Sequence, residues 1–185
     1  MRNKRLTQTD NLEYIEASEN LDVLQRIISI TKSCSKRYFR NILNDLTAEN
    51  EQNANIICDY ITAEETEINI KNSTKEGKIK VLVWLSKHHD NKISFTDMKK
   101  QHILEFLNNL RKTIHKDPSQ KWIGSYNGRQ IILNKFFRWL YDSQEPDHSR
   151  RVTPECMRGV KQLPKKKNHP MPHRIFGNKE KISFS

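Results

Sequence analysis

The residues of this chain best suited to chemistry are amides and cations on one helical face. At about 100° per residue, a helix opening at Ser125 gathers Asn127, Gln130, Asn134, Lys135 and Arg138 on one arc, with Ile131 among them. Asn and Gln hydrogen-bond adenine edges in a DNA major groove, and Arg bonds guanine. No carboxylate occurs between Asp117 and Asp142, whereas a surface helix usually mixes signs to gain i,i+4 support. The bland alternative is a solvated amide face; the missing acids tilt the balance toward DNA. Lys75, Lys78 and Lys80, with Lys87 on the same upstream helix, and the run Lys165-Lys166-Lys167 fit phosphate contacts, which position without specifying. For any one of them, a solvated lysine is the simpler account.

The charge of the whole chain agrees with an anionic partner. Its 185 residues carry 33 Lys+Arg against 22 Asp+Glu, a net charge of +11. The net charge is -1 over residues 1–60, +3 over 61–120 and +9 over 121–185. Such accumulation favours a localised anionic partner, with nucleic acid first. A membrane surface fits less well, since neither end offers a lipidation motif or a strongly amphipathic basic helix. The mean hydropathy is -0.86, and no apolar window approaches the ~18–20 residues of a membrane span. Residues 1–10 are basic and polar with no apolar run behind them, so no secretory signal is expected. Cys34, Cys58 and Cys156 are odd in number and far apart, which reads as free thiols in a reducing compartment. The expected location is cytoplasmic, and at the nucleoid if DNA is bound.

Other chemistry is poorly supplied. His88-His89 lacks a carboxylate or Cys at ligand spacing, so no metal site is expected. Glu64, Glu65 and Glu67 could begin a two-metal site, but no Asp or His completes it; an exposed acidic helix end is the better account. There is no Gly-rich phosphate loop, and no cofactor is implied.

The elements that must position these residues read as helices throughout. Asn20–Lys32 places Leu21, Leu24, Ile27 and Ile28 at helical spacing behind an Asn20 cap. Ser35–Leu46 repeats the pattern with Phe39, Ile42, Leu43 and Leu46, and Asn53–Ile61 with Ile56, Ile57, Tyr60 and Ile61. Ser73 and Glu76 match a capping box ahead of Val81, Trp84, Leu85 and His88, and Ile79, Leu82 and Val83 widen that stripe as in a central helix. Ile79, Val81, Val83 and Leu85 also alternate as in a strand, but no partner strand is evident. Residues 99–113 align Ile103, Phe106, Leu107, Leu110 and Ile114, and Asp117-Pro118 breaks the chain. The helix capped by Ser125 runs to about Asp142 with Leu133, Phe136, Phe137 and Leu140 facing a core. Trp84 and Trp139 sit on apolar arcs; Trp122, beside Lys121, packs locally or touches sugar-phosphate. Beyond Pro146 only one short helix is expected, near 155–160. The expected organisation is a helical N-terminal extension over 1–52, a helical DNA-binding domain over 53–145, and a basic, poorly ordered linker or tail over 146–185.

Residues 73–140 resemble the N-terminal core-binding domain of tyrosine recombinases, the SAM-like helical domain of phage-type and archaeal integrases. The carrying residues are the helix opening Ser73-Thr74-Lys75-Glu76 and continuing Val81-Leu82-Val83-Trp84-Leu85, the helix His102 to Leu110, and Ser125-Tyr126-Asn127-Gly128-Arg129 followed by Leu133, Phe136, Phe137 and Leu140. The lead-in Trp122-Ile123-Gly124 and the run from Pro154 to Met157 look most like archaeal integrase-like proteins. The likeness spans about 55–165. The family's middle helix opens with Thr and an acid, where this chain has Lys99 and His102. The resemblance implies an all-α SAM-like bundle that grips double-stranded DNA, adds Arg129 to the DNA-contacting residues, and names a full-length recombinase as a second partner. A protein–protein adaptor working through helices 20–61 is the alternative.

In that family the cutting chemistry belongs to a second, C-terminal domain, with a tyrosine nucleophile assisted by cations and imidazoles. His148-Ser149-Arg150-Arg151 satisfies the family's His-x-x-Arg, yet the last tyrosine, Tyr141, lies upstream and the motif sits in a Pro-flanked linker. The motif is therefore expected to be a decoy, and the chain to bind DNA without catalysis. A nicked suicide duplex incubated with the protein should yield no covalent adduct on a denaturing gel; a retained protein–DNA band would contradict that expectation.

Overall fold

The computed structural model describes residues 22–164, and these are all-helical, with no strand among them. Helix α1 covers 22–31, α2 Tyr38–Glu49, α3 Glu51–Ile68, α4 Asn72–His88, α5 Lys100–Asn108 and α6 Trp122–Tyr141. Short 3-10 turns occur at Phe95–Asp97 and Glu155–Met157. The alternation of Ile79 to Leu85 does not make a strand: Ile79, Val81, Leu82, Val83 and Leu85 are all buried on α4, which packs against α2, α3, α5 and α6. A helix buried on most of its circumference needs apolar residues on most of it.

Local chemistry sets the helix ends. Asn50 both ends α2 and caps α3, its side chain accepting from the Asn53 N–H at 2.9 Å. Asn69, at φ 47, closes α3 in the left-handed conformation that Asn tolerates. Asn53 is fully buried, and its amide is used at both ends. It donates to Ser86 Oγ at 2.9 Å and to the Ile93 carbonyl at 3.0 Å, and it accepts from the Phe95 N–H at 2.9 Å. Satisfied in this way, a buried amide fixes the loop after α4 instead of destabilising the core. Phe95, Tyr60 and Phe136 then form an edge-to-face aromatic cluster, with ring centroids 5.0 and 5.2 Å from Phe136.

Several expected starts and faces are corrected. The Ser73–Glu76 capping box is not made: α4 begins at Asn72, and Glu76 accepts from the Ser35 N–H and hydroxyl at 2.5 and 2.8 Å. Helix α6 begins at Trp122 and not at Ser125; the Asp117 carboxylate accepts from the Trp122 N–H at 3.2 Å. On α5, His102 Nδ1 accepts from the Lys99 N–H at 3.1 Å, half of the reciprocal cap. That helix stops at Asn108, leaving Ile114 exposed. On α1 the buried row is Val23, Ile27 and Ile30, whereas Leu24 and Ile28 face outward. The α1 and α2 side chains nevertheless join the same core as those of α3 to α6.

The acidic end of α3 is exposed at Glu67, as expected, but not at Glu64. Glu64 is 2% exposed and ion-paired with Lys78, itself 4% exposed. Glu65 pairs with buried Lys75, whose Nζ also donates to Ser33 Oγ at 2.6 Å. Desolvation pulls the Lys78 ammonium below its usual value, and the Glu64 carboxylate partly restores it. Lys78→Met should strand a buried carboxylate and remove about 3–5 kcal/mol of stability in urea unfolding. Adding Glu64→Leu to that variant should recover most of the loss; two equally damaged proteins would show that the pair matters for its shape and not its charge.

Candidate nucleic-acid interface

The amide arc of α6 has a use that spacing did not reveal. Asn127 and Gln130 are each 7% exposed, and their partners are main-chain atoms of residues 160–163. Asn127 donates to the Leu163 carbonyl and accepts from the Leu163 N–H, both at 2.8 Å, while Gln130 donates to the Val160 carbonyl at 2.9 Å. Arg138 donates to the Ser149 carbonyl at 3.0 Å and, through Nε, to the Arg151 carbonyl at 2.5 Å. Gly159, at φ 78, makes the left-handed turn that brings Val160 onto α6. Residues 149–163 are thus strapped along α6, with Cys156, Met157 and Val160 joining the core. The expectation of a poorly ordered segment from 146 is replaced, over 146–164, by docked chain. Lys165, Lys166 and Lys167 lie outside the described residues.

The His-x-x-Arg motif belongs to the same strap. Glu67 Oε2 lies 2.7 Å from His148 Nε2 and 3.0 Å from Arg151 NH2, and Arg151, 3% exposed, also donates to the Glu145 carbonyl at 2.9 Å. These groups pin the strap to α3.

The residues assigned to DNA therefore divide. Lys75 and Lys78 are buried and ion-paired, and Asn127, Gln130 and Arg138 hold backbone, so none of these five presents its polar end to a phosphate or a base. Lys135 is exposed, and Asn134 and Lys80 are partly so. Lys80 Nζ stands 4.4 Å from the centroid of the Trp84 ring. The Arg129 guanidinium lies 4.7 Å from the same centroid and 5.3 Å from that of Phe106. Two cations thus share one indole, a favourable arrangement for the ring quadrupole. Burial pulls the Arg129 guanidinium below its ordinary value, and no carboxylate pairs with it among the described residues.

Arg129 opens onto a cleft of about 410 Å³ between the 109–121 loop and the start of α6. Lys112, Lys116 and Lys121 line it with Trp122 and Ser125. Asp117 is the one acid there. Partial desolvation pushes its carboxyl up, but hydrogen bonds from the Trp122 N–H, the Ser119 hydroxyl and the Lys121 N–H, with the Lys112 charge, hold it below the usual range. Arg111 stands 5.9 Å from the ring centroids of Trp122 and Tyr126. Periodicity on α6 could not find these loop cations. Composition could have: residues 109–130 hold five Lys or Arg and one acid.

Among the described residues the fold is all-helical, and it brings Lys112, Lys116, Lys121 and Arg129 together beside Trp84 and Trp122. No protein-family model, no curated protein and no solved structure matches the chain. No helix of the described residues is long and apolar enough to cross a membrane, and no group of His, Cys, Asp or Glu among them could hold a metal ion.

The strap makes its own prediction. Burial pushes the Cys156 thiol up to about 11, so at pH 8 it should resist alkylation while the protein is native. Asn127→Ala leaves two strap main-chain groups unpaired and should cost about 1–3 kcal/mol. Cys156 should then be alkylated measurably faster, as read by peptide mass spectrometry; an unchanged rate would mean that the strap is held without Asn127.

Proposed function

We propose that this chain binds double-stranded DNA without cutting it. It grips the phosphate backbone with Lys80, Arg129 and the cations of the 109–121 loop. The observation that carries this reading is the meeting of Lys112, Lys116, Lys121 and Arg129 at one cleft, with no ion-pair partner among the described residues. Elsewhere the fold pairs its buried cations, Lys75, Lys78 and Arg151, with acids. Unpaired cations gathered on one surface lower the free energy of a polyanion held against them and release its counterions.

The aromatic residues suit the same partner. Trp84 holds Lys80 and Arg129 in place, so less side-chain freedom is lost when they meet phosphate. Lys135 and Asn134 lie on a different arc of α6 from Arg129, Lys135 beside Ile68 and Arg138, and would make a separate contact. Asn134 is the one amide of the arc without a backbone partner among the described residues. The resemblance to tyrosine recombinase core-binding domains supports the reading and makes this chain a gripping part of an integrase-like system. No cutting role falls to the His-x-x-Arg residues: Arg151 is ion-paired with Glu67, and His148 Nε2 lies 2.7 Å from the same carboxylate. A second reading, docking of a protein such as an intact recombinase, is favoured by the outward-facing Leu24 and Ile28 on α1.

Affinity for duplex DNA should fall steeply with salt, the slope of log K against log salt approaching about 0.9 per phosphate contacted. Lys112→Ala, Lys116→Ala and Lys121→Ala combined should reduce the slope by about 3 and weaken all sequences alike. Lys92→Ala, near the far end of α4, should leave it unchanged. Absence of duplex binding at ~50 mM salt, where electrostatic affinity is high, would refute DNA binding and favour the protein-docking alternative.

A further inference from the structure

The cleft beside Trp122 is more than a patch of positive surface. Its volume of about 410 Å³ lies toward the lower end of the ~300–1,000 Å³ that holds small ligands. A phosphate on the outside of a duplex needs no such recess. The Trp122 ring lines the cleft, and its indole Nε1 is buried without a hydrogen-bond partner among the described residues, although a buried donor ordinarily finds one. Arg129 is half-buried on Trp84 and Phe106 without a counter-charge. An uncompensated cation in that position is costly unless an anion completes it. The Ser125 hydroxyl adds a further polar group to the wall.

Lys112, Lys116, Lys121 and Arg129 against the single acid Asp117 leave three net positive charges around the recess, more than an internal phosphodiester, with one negative charge, can balance. A phosphomonoester carries about -1.5 to -2 at neutral pH and presents three acceptor oxygens. It is also the form of phosphate found at the end of a strand, where the chain can enter a recess instead of crossing it. We infer that the cleft formed by Lys112, Lys116, Lys121, Trp122, Ser125 and Arg129 receives the terminal phosphate of a nucleic-acid strand. Arg129 and the lysines neutralise the dianion, and its nucleoside lies toward the Trp122 ring. This rests on the DNA-binding reading above and narrows it from any duplex to one presenting a phosphorylated end.

The test compares the full-length chain on two short duplexes of one sequence, one with 5′-phosphates and one with 5′-hydroxyls. Charge-assisted hydrogen bonds of this kind should favour the phosphorylated duplex about tenfold. Lys116→Ala with Lys121→Ala, both exposed positions, should abolish that preference while leaving the fold intact by circular dichroism. In a separate measurement, the indole N–H resonance of Trp122, identified by its loss in Trp122→Phe, should move saturably with inorganic phosphate. Sodium chloride at matched ionic strength should leave it in place. Equal affinity for the two duplexes overturns the inference and leaves DNA binding standing. A Trp122 resonance indifferent to phosphate also overturns it. Failure to bind either duplex overturns the DNA-binding reading and this inference together.

Discussion

The acidic end of α3 is the constraint on which the rest of the molecule depends. Within four residues, Glu64, Glu65 and Glu67 take up Lys78, Lys75, and Arg151 with His148. The first two pairs lock the register of α3 against α4. The third ties the chain after α6 back onto the bundle. A buried pair such as Lys78–Glu64 adds little net stability over an apolar equivalent, but breaking it is expensive. Its value lies in excluding other registers, since sliding α4 by one turn would bury an ammonium and a carboxylate apart. The Asn53 to Ser86 hydrogen bond reinforces the same register, while the apolar core, from Val23 to Val160, would tolerate such a slide more readily.

Charge on this protein is consequently of two kinds that the sequence writes in the same letters. Lysines at 75, 78 and 80 look equivalent along one helix, yet the first two are buried in ion pairs and the third rests over the face of the half-buried Trp84 indole. Position relative to α3 decides the difference, and α3 is joined to α4 through a turn whose geometry single-residue spacing does not encode. Four cations of the loop before α6, Arg111, Lys112, Lys116 and Lys121, have no ion-pair partner among the described residues and stand beside the single acid Asp117.

Much of the fold was legible because apolar spacing reports burial directly. Phe39, Ile42, Leu43 and Leu46 on α2, and Leu133, Phe136 and Phe137 on α6, face inward as their periodicity requires. Helix starts were less legible, since Ser73 and Ser125 are good cap residues by type while Asp117 and Asn50 hold the better geometry. The rotation of α1 was misjudged because Leu24 and Ile28 are as apolar as Val23 and Ile30 and differ only in azimuth. On the amide arc of α6, Asn127 and Gln130 meet backbone of the strap, a partner that spacing does not reveal. An Asn that would bond an adenine edge bonds a peptide group equally well, and the peptide of Leu163 lies 36 residues away in sequence.

The way the strap is held has a consequence for how this sequence can drift. Asn127, Gln130 and Arg138 grip carbonyls and an N–H, which every residue but proline supplies alike. Many side chains between 149 and 163 can therefore change without loosening the attachment, provided that Arg151 still meets Glu67, a glycine remains at the left-handed turn, and apolar groups fill the places of Cys156, Met157 and Val160. The information that docks this segment is stored in the helix beneath it. Two relatives with little in common along their straps could then share one docked geometry, and comparison of those stretches alone would make them look unrelated.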